Sequence, residues 1–206
     1  MQITVQDWLQ AADHEVEMRR WRDQSGGKTR QFVVEHELKG VAPESLRWYY
    51  MNFDSESYRM WHPCHIGLQW EKKVAGPGAC HIAWEKIGGK LAAYRLRVDP
   101  LDKAPVAPRN PAAAIVITCL DTQGEPLWQI LSEYAPGPEG TIKRSTFVFP
   151  AATPDEFVES HRQHAIEENP GMAYKAVPYL IQKTFGHMVE PKKLKELGLV
   201  VAAPMD

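Results

Sequence analysis

The spacing of apolar residues divides the chain into a helical beginning, a long middle of strand-like alternation and a helical end. Residues 5 to 23 carry Trp8, Leu9, Ala12 and Val16 at helical spacing, and Gln24-Ser25-Gly26-Gly27 breaks the pattern. Arg30 to Leu38, with Phe32, Val33 and Val34, predicts a strand ended by Gly40. Pro43-Glu44-Ser45 predicts a helix start, because proline suits the first helical position and an acid suits the positive end of the dipole. Leu46 to Phe53 continues that helix with a dense aromatic set: Trp48, Tyr49, Tyr50 and Phe53.

From His65 the period changes to two. His65 to Glu71 predicts a strand with Ile66, Leu68 and Trp70 on one face and His65, Gly67 and Gln69 on the other. Gly76-Pro77-Gly78 turns the chain. Cys80 to Ile87 predicts the next strand, with His81, Ala83, Glu85 and Ile87 sharing a face. Gly88-Gly89 is a hairpin signal, and Leu91 to Val98 returns. Residues 99 to 112, with Pro100, Pro105, Pro108 and Pro111, predict a loop long enough for a lid or a site-lining role. Ala113 to Leu120, Leu127 to Tyr134 and Thr141 to Phe149 predict three further strands, separated by Thr122-Gln123-Gly124 and Pro136-Gly137-Pro138.

Thr153-Pro154-Asp155-Glu156 marks a helix start: a cap, a proline, then acids. That helix is expected to run to about Glu168, be interrupted at Asn169-Pro170-Gly171 and resume from Met172 to Phe185. The tail from Glu190 is charged, then small and apolar. A run of strands followed by a terminal helix predicts an α+β fold, a curved antiparallel sheet around that helix with a cavity between them. The whole of residues 1–206 reads as one domain, with 1–30 a helical extension on a core of 31–190.

Composition narrows the function. The formal net charge is −2 with no basic tract, which argues against nucleic acid. No apolar run approaches the roughly 18 residues that a membrane span needs. Met1 to Asp7 lacks the pattern of a signal peptide, and Cys64, Cys80 and Cys119 are scattered and odd in number. Reduced thiols and a cytoplasmic location are therefore expected.

Three stretches carry candidate chemistry. Tyr58-Arg59-Met60-Trp61-His62-Pro63-Cys64-His65 holds two imidazoles three positions apart. His81-Ile82-Ala83-Trp84-Glu85 places an imidazole and a carboxylate on one strand face. In His161-Arg162-Gln163-His164-Ala165-Ile166-Glu167-Glu168, His164 and Glu168 share a helix face at i, i+4. Imidazoles and carboxylates from three elements that face one cavity must be neutralised, and a divalent ion does that. His65, Glu85, His164 and Glu168 are accordingly expected to hold one such ion. Two imidazoles and two carboxylates suit zinc, with manganese, iron and nickel as alternatives.

In these three blocks the sequence resembles the 2,4-diacetylphloroglucinol hydrolase and phloretin hydrolase family, over roughly residues 45 to 185. The resemblance implies a Bet v 1-like (START-like) helix-grip fold, zinc at His65, Glu85, His164 and Glu168, and Tyr58 hydrogen-bonded to a phenolic oxygen of the substrate. It implies hydrolysis of the carbon–carbon bond between an acyl group and a phenolic or β-diketone-like small molecule.

The chain departs from the family pattern in three places. Only Cys64 separates Pro63 from His65 where the family has two residues, so His62 competes with His65 as ligand. Ser132 stands where a catalytic histidine is expected, and Phe147 where a tyrosine is. Tyr58 or His81 is then the remaining proton donor or relay. The alternative function is a non-catalytic helix-grip protein that binds a hydrophobic small molecule, its pocket formed by the aromatics and the 99–112 loop. The expected partner is a small phenolic or acylated molecule, with neither nucleic acid nor membrane; a homo-oligomer is left open.

Overall fold

The computed structural model describes residues 4–186. It begins with helix α1 (Val5–Ser25), which Thr4 and Asp7 cap reciprocally and Gly26 ends in the left-handed conformation. The buried stripe of α1 is Ala11, His14, Met18, Trp21 and Ser25. The stripe that the spacing suggested is the outer one: Trp8, Leu9 and Val16 are each 55% exposed. Two apolar stripes compete on this helix, and packing chooses between them. Ala11 meets Trp84 and Leu91, while Met18 and Trp21 join the main core.

Seven strands follow: β1 (Thr29–Lys39), β2 (His65–Lys72), β3 (Cys80–Ile87), β4 (Lys90–Asp99), β5 (Ala114–Leu120), β6 (Pro126–Pro136) and β7 (Gly140–Pro150). They form one antiparallel sheet in the order β1-β7-β6-β5-β4-β3-β2. Helices α2 (Pro43–Asn52) and α3 (Ser55–Trp61) lie between β1 and β2. Asp54 caps α3, a helix too short for the apolar period to reveal. Gly88 and Gly89 make the β3–β4 turn with positive φ of 58° and 79°, as the hairpin signal predicted.

The terminal helix is α4 (Asp155–Gly171). It touches β1 at one edge of the sheet and β3 near the other. One helix reaches both only if the sheet curves around it, and the main core fills the space between. The expected break at Asn169-Pro170-Gly171 does not occur. The helix passes through a π-helical turn (Met172–Ala176) into α5 (Val177–Phe185). Pro170 cannot donate to the Ile166 carbonyl; His36 Nε2 does so instead, at 3.0 Å.

Two further expectations are corrected. Strict alternation put His65 opposite Trp70 in facing, but a β-bulge between His65 and Gly67 resets the phase. His65 pairs with Glu85, Leu68 with Ala83 and Trp70 with His81, so all three face the helix, while Ile66 packs outward with Trp84. The 99–112 segment forms two short 3₁₀ turns (Leu101–Lys103 and Pro111–Ala113) against β5 and β6 and lines no part of the cavity described below.

Gly171 packs directly under the Trp61 carbonyl at the end of α3, where an added Cβ would overlap both carbonyl atoms. Backbone cannot yield as a side chain does. Gly171→Ala is expected to lower the unfolding free energy by about 3 kcal/mol or more, read by urea titration. A loss under about 1 kcal/mol would mean that α3 shifts freely.

Candidate metal centre

His65 enters the cavity through a turn. Pro63 holds His62 extended, at φ −151° and ψ 148°, and the His65 N–H returns to the His62 carbonyl at 2.9 Å. The His65 ring stacks on Tyr58 at 4.1 Å, and its Nδ1–H donates to the Tyr58 carbonyl at 3.1 Å. Nε2 is thereby left with a lone pair aimed inward.

Across the cavity, His164 Nε2 lies 3.1 Å from His65 Nε2. The Glu168 carboxylate lies 3.5 Å from His164 Nε2 and 3.6 Å from His65 Nε2. The Glu85 carboxylate lies at the edge of this three-donor group, with Oε2 3.9 Å from His164 Nε2 and Oε1 4.0 Å from His65 Nε2. Ligand bonds of about 2.0–2.2 Å at tetrahedral angles separate neighbouring donors by about 3.4 Å, so His65, His164 and Glu168 stand at the spacing of one small divalent ion, with Glu85 farther out.

The electrostatics favour a cation here. Burial raises Glu85 from 4.5 to about 7 and Glu168 to about 8, the latter against the attraction of Lys143. Burial also lowers His65 from 6.5 to about 3; His164 falls further, with His65 adding to the effect. All four groups are driven toward neutrality because water is excluded. A bound cation would reverse the cost for both carboxylates and accept both imidazole lone pairs. His164 Nδ1 is buried with no hydrogen-bond partner among the described residues.

His62, Cys64 and His164 form a second donor group of similar compactness. The nitrogens of His62 are already committed, however. Its Nδ1 accepts the Cys64 N–H at 3.1 Å and its Nε2 meets Glu167 at 3.2 Å. His65 is therefore the imidazole that sits with Glu85, His164 and Glu168.

Tyr58 serves this group from behind. Its hydroxyl donates to Glu85 Oε1, its carbonyl fixes His65 and its ring stacks on His65. The hydroxyl that the resemblance assigned to substrate is thus engaged by a carboxylate of the cluster. Tyr58→Phe is expected to weaken zinc binding by about 10- to 100-fold, measured against a competing chelator. Unchanged affinity would leave Tyr58 free for the ligand.

His81 faces the same cavity but lies four residues along β3 from Glu85, about 13 Å by the rise of a strand. It packs between Phe53 and Trp70 at ring distances of 5.1 and 5.0 Å, and burial lowers it to about 3. Ser132 and Ser145 face each other across β6 and β7 on the cavity wall, and Phe147 stacks on Phe32 at 4.7 Å.

Two groups in the cavity escaped the sequence reading. Lys143 projects inward from β7 and is 4% exposed. The alternation that places Phe147 inside also places Ser145 and Lys143 inside, so this signal was present. The second is a pair: Tyr94 donates its hydroxyl hydrogen to His161 Nε2 at 3.1 Å, while His161 Nδ1–H donates to the Phe157 carbonyl at 2.9 Å.

The cavity has a volume of about 60 Å³ and is lined by Tyr50, Phe53, Trp61, Tyr94, Trp128 and Phe147 around these polar groups. At about 10–15 Å³ per water it holds a few waters, so an aromatic ligand enters only as this lining shifts.

No protein-family model and no curated protein matches the chain. Solved structures do match in fold. The crystal structure of Ara h 8.0201 is 15% identical, covers 76% of this chain and 99% of its own, and has a TM-score of 0.50. The solution structure of the KanY protein is 13% identical, covers 73% and 99%, and has a TM-score of 0.51. A START superfamily protein from Mycobacterium smegmatis is 15% identical, covers 75% and 99%, and has a TM-score of 0.50. No helix among the described residues is long and apolar enough to cross a membrane. A seven-stranded antiparallel sheet gripping a long C-terminal helix, shared with these structures, gives this chain the Bet v 1-like, START-like helix-grip fold.

Proposed function

We propose that the chain is a metal-dependent hydrolase that cleaves an acyl group from the carbon skeleton of a small phenolic or β-diketone-like molecule. One observation carries this reading. Two imidazoles and a carboxylate, His65, His164 and Glu168, meet at donor spacing in the wall of an aromatic-lined cavity, with the Glu85 carboxylate beside them. The resemblance in the Tyr58–His65, His81–Gly89 and His164–Glu168 blocks points to the same chemistry.

His65, Glu85, His164 and Glu168 would hold the ion. When bound it supplies a Lewis acid that polarises a carbonyl and eases ionisation of water. Tyr58 orients Glu85 and His65, and the aromatic lining excludes bulk solvent. In the net reaction the acyl carbon gains a hydroxyl, and the departing carbon keeps the electron pair and takes a proton. That proton must come from a group near the departing carbon. Ser132 is too weak an acid, Phe147 has no proton to give, and His81 is remote from the cluster.

A second reading follows from that shortage: a helix-grip protein that binds a hydrophobic small molecule without turning it over. The shared fold and the apolar cavity lining support it as well. The deciding assay compares diacetylphloroglucinol with an aryl ester on zinc-loaded protein. An ester leaving group needs no protonated carbon, so the ester should turn over, and the ketone at least about 10²-fold more slowly. Turnover of neither substrate, with ligand bound, would favour the second reading.

A further inference from the structure

We propose that Lys143 makes the cavity an anion site, so that the molecule it takes presents an ionised oxygen, a phenolate or enolate, to this ammonium. The proposal rests on the metal-centred reading above and names the ligand class that the same cavity selects.

The first argument is burial. Lys143 is 4% exposed and lines the cavity. Burial pulls its pKa down from the usual lysine value, against the attraction of Glu168. An ammonium taken out of water is costly unless an acceptor or an anion meets it, so this wall of the cavity favours a ligand that brings an oxygen anion.

The second argument is geometry. Lys143 is buried on the concave face of β7, between Tyr134 on β6 and His36 on β1. Its position is fixed by a directed chain of hydrogen bonds. The ammonium donates to Asn169 Oδ1, Asn169 Nδ2 donates to His36 Nδ1 at 3.1 Å, and His36 Nε2 donates to the Ile166 carbonyl at 3.0 Å. That carbonyl is the one freed by Pro170, so the chain is anchored in the helix itself. Lysine has three N–H donors. Among the described residues Lys143 makes no other hydrogen bond and no ion pair within 4.0 Å, Glu168 included. Ser145 stands two residues away on the same face, with Ser132 opposite it, and both line the cavity. A buried ammonium with N–H groups unspent, anchored on one side by Asn169, is placed to receive an oxygen anion.

The test uses 4-nitrophenol and 4-nitroanisole as a matched pair: similar in shape, one ionisable to a phenolate and one permanently neutral. Zinc content is measured first, so failure of the metal-centred reading shows as absent zinc before any ligand is added. Zinc-loaded wild-type protein should bind nitrophenol in its ionised form, seen as the phenolate absorbance band, and prefer it to nitroanisole. In Lys143→Met that preference should fall by about tenfold or more. Lys143→Gln keeps a donor for Asn169 and guards against a folding defect in the methionine variant. It should show the same loss, with nitroanisole affinity unchanged. If either variant folds, retains zinc and keeps the wild-type preference, the anion site is wrong while the metal centre stands. An equal loss for both probes would assign Lys143 a merely structural role and overturn the proposal.

Discussion

Protein produced with ample zinc is expected to carry about one divalent ion per chain, and His65→Ala or His164→Ala to carry less than about 0.2. His62→Ala should retain most of it. The two outer variants remove nitrogens whose Nε2 atoms lie 3.1 Å apart and within 4.0 Å of both carboxylates. His62 has both nitrogens engaged elsewhere, with the Cys64 N–H and with Glu167. Elemental analysis of the purified proteins decides it. Loss of metal in His62→Ala with retention in His65→Ala would move the centre to the His62, Cys64 and His164 group. Thermal denaturation with and without added zinc gives an independent reading, because an ion that binds only the folded state raises its midpoint.

The second large effect is in pH. In metal-free protein, Glu85 and Glu168 have folded values near 7 and 8 against 4.5 in the unfolded chain. A raised carboxylate means that the folded state binds the extra proton. Its contribution is fully present below about pH 4.5 and is lost as pH climbs through 7 to 8. The histidines act oppositely. His65, His81 and His161 fall from 6.5 to about 3, 3 and 4, so their contribution is present above 6.5 and is lost as pH falls through those values. Between 4.5 and 6.5 the two sets oppose each other, and from 6.5 to 8 the carboxylates act alone. Metal-free protein should therefore lose stability from pH 6.5 to 8. Zinc removes that decline, because the bound carboxylates are ionised in any case. The gap in melting temperature between zinc-loaded and chelator-treated protein should widen with pH, and apparent zinc affinity should rise by about tenfold per pH unit for each proton displaced. A gap that stays flat from pH 5 to 8 would show that Glu85 and Glu168 are not the groups the ion binds.

Much of the fold was legible along the chain. The strand predicted at Cys80–Ile87 has those limits in the structure, and the Gly88-Gly89 turn sits where its glycines allow positive φ. These signals are local: alternation, turn residues and caps act over a few positions, so the sequence alone exposes them. What was misread depended on distant partners. Helix α3 is only seven residues long, so its buried pair Tyr58 and Trp61 makes too short a stripe to betray it, and it is held by its Asp54 cap and by packing. Pro170 reads as a helix break until His36, 130 positions from Ile166, takes over the freed carbonyl. The bulge after His65 cannot be seen in an alternating run, since only the partner strand reveals the change of phase.

The same division holds at the candidate centre. Sequence by itself determined which donors could share a face: His81 with Glu85 on a strand, His164 with Glu168 on a helix turn. Those pairings follow from periods of two and of three to four residues. Only the tertiary structure decided that His65 rather than His62 sits with Glu85, His164 and Glu168, and that Tyr58 supports the group from behind. The physical reason is range. His65 and His164 are 99 positions apart and meet only because the sheet curves around α4. The choice of His65 is then made by competing hydrogen bonds, since His62 spends its nitrogens on Cys64 and Glu167 before it can face the cavity.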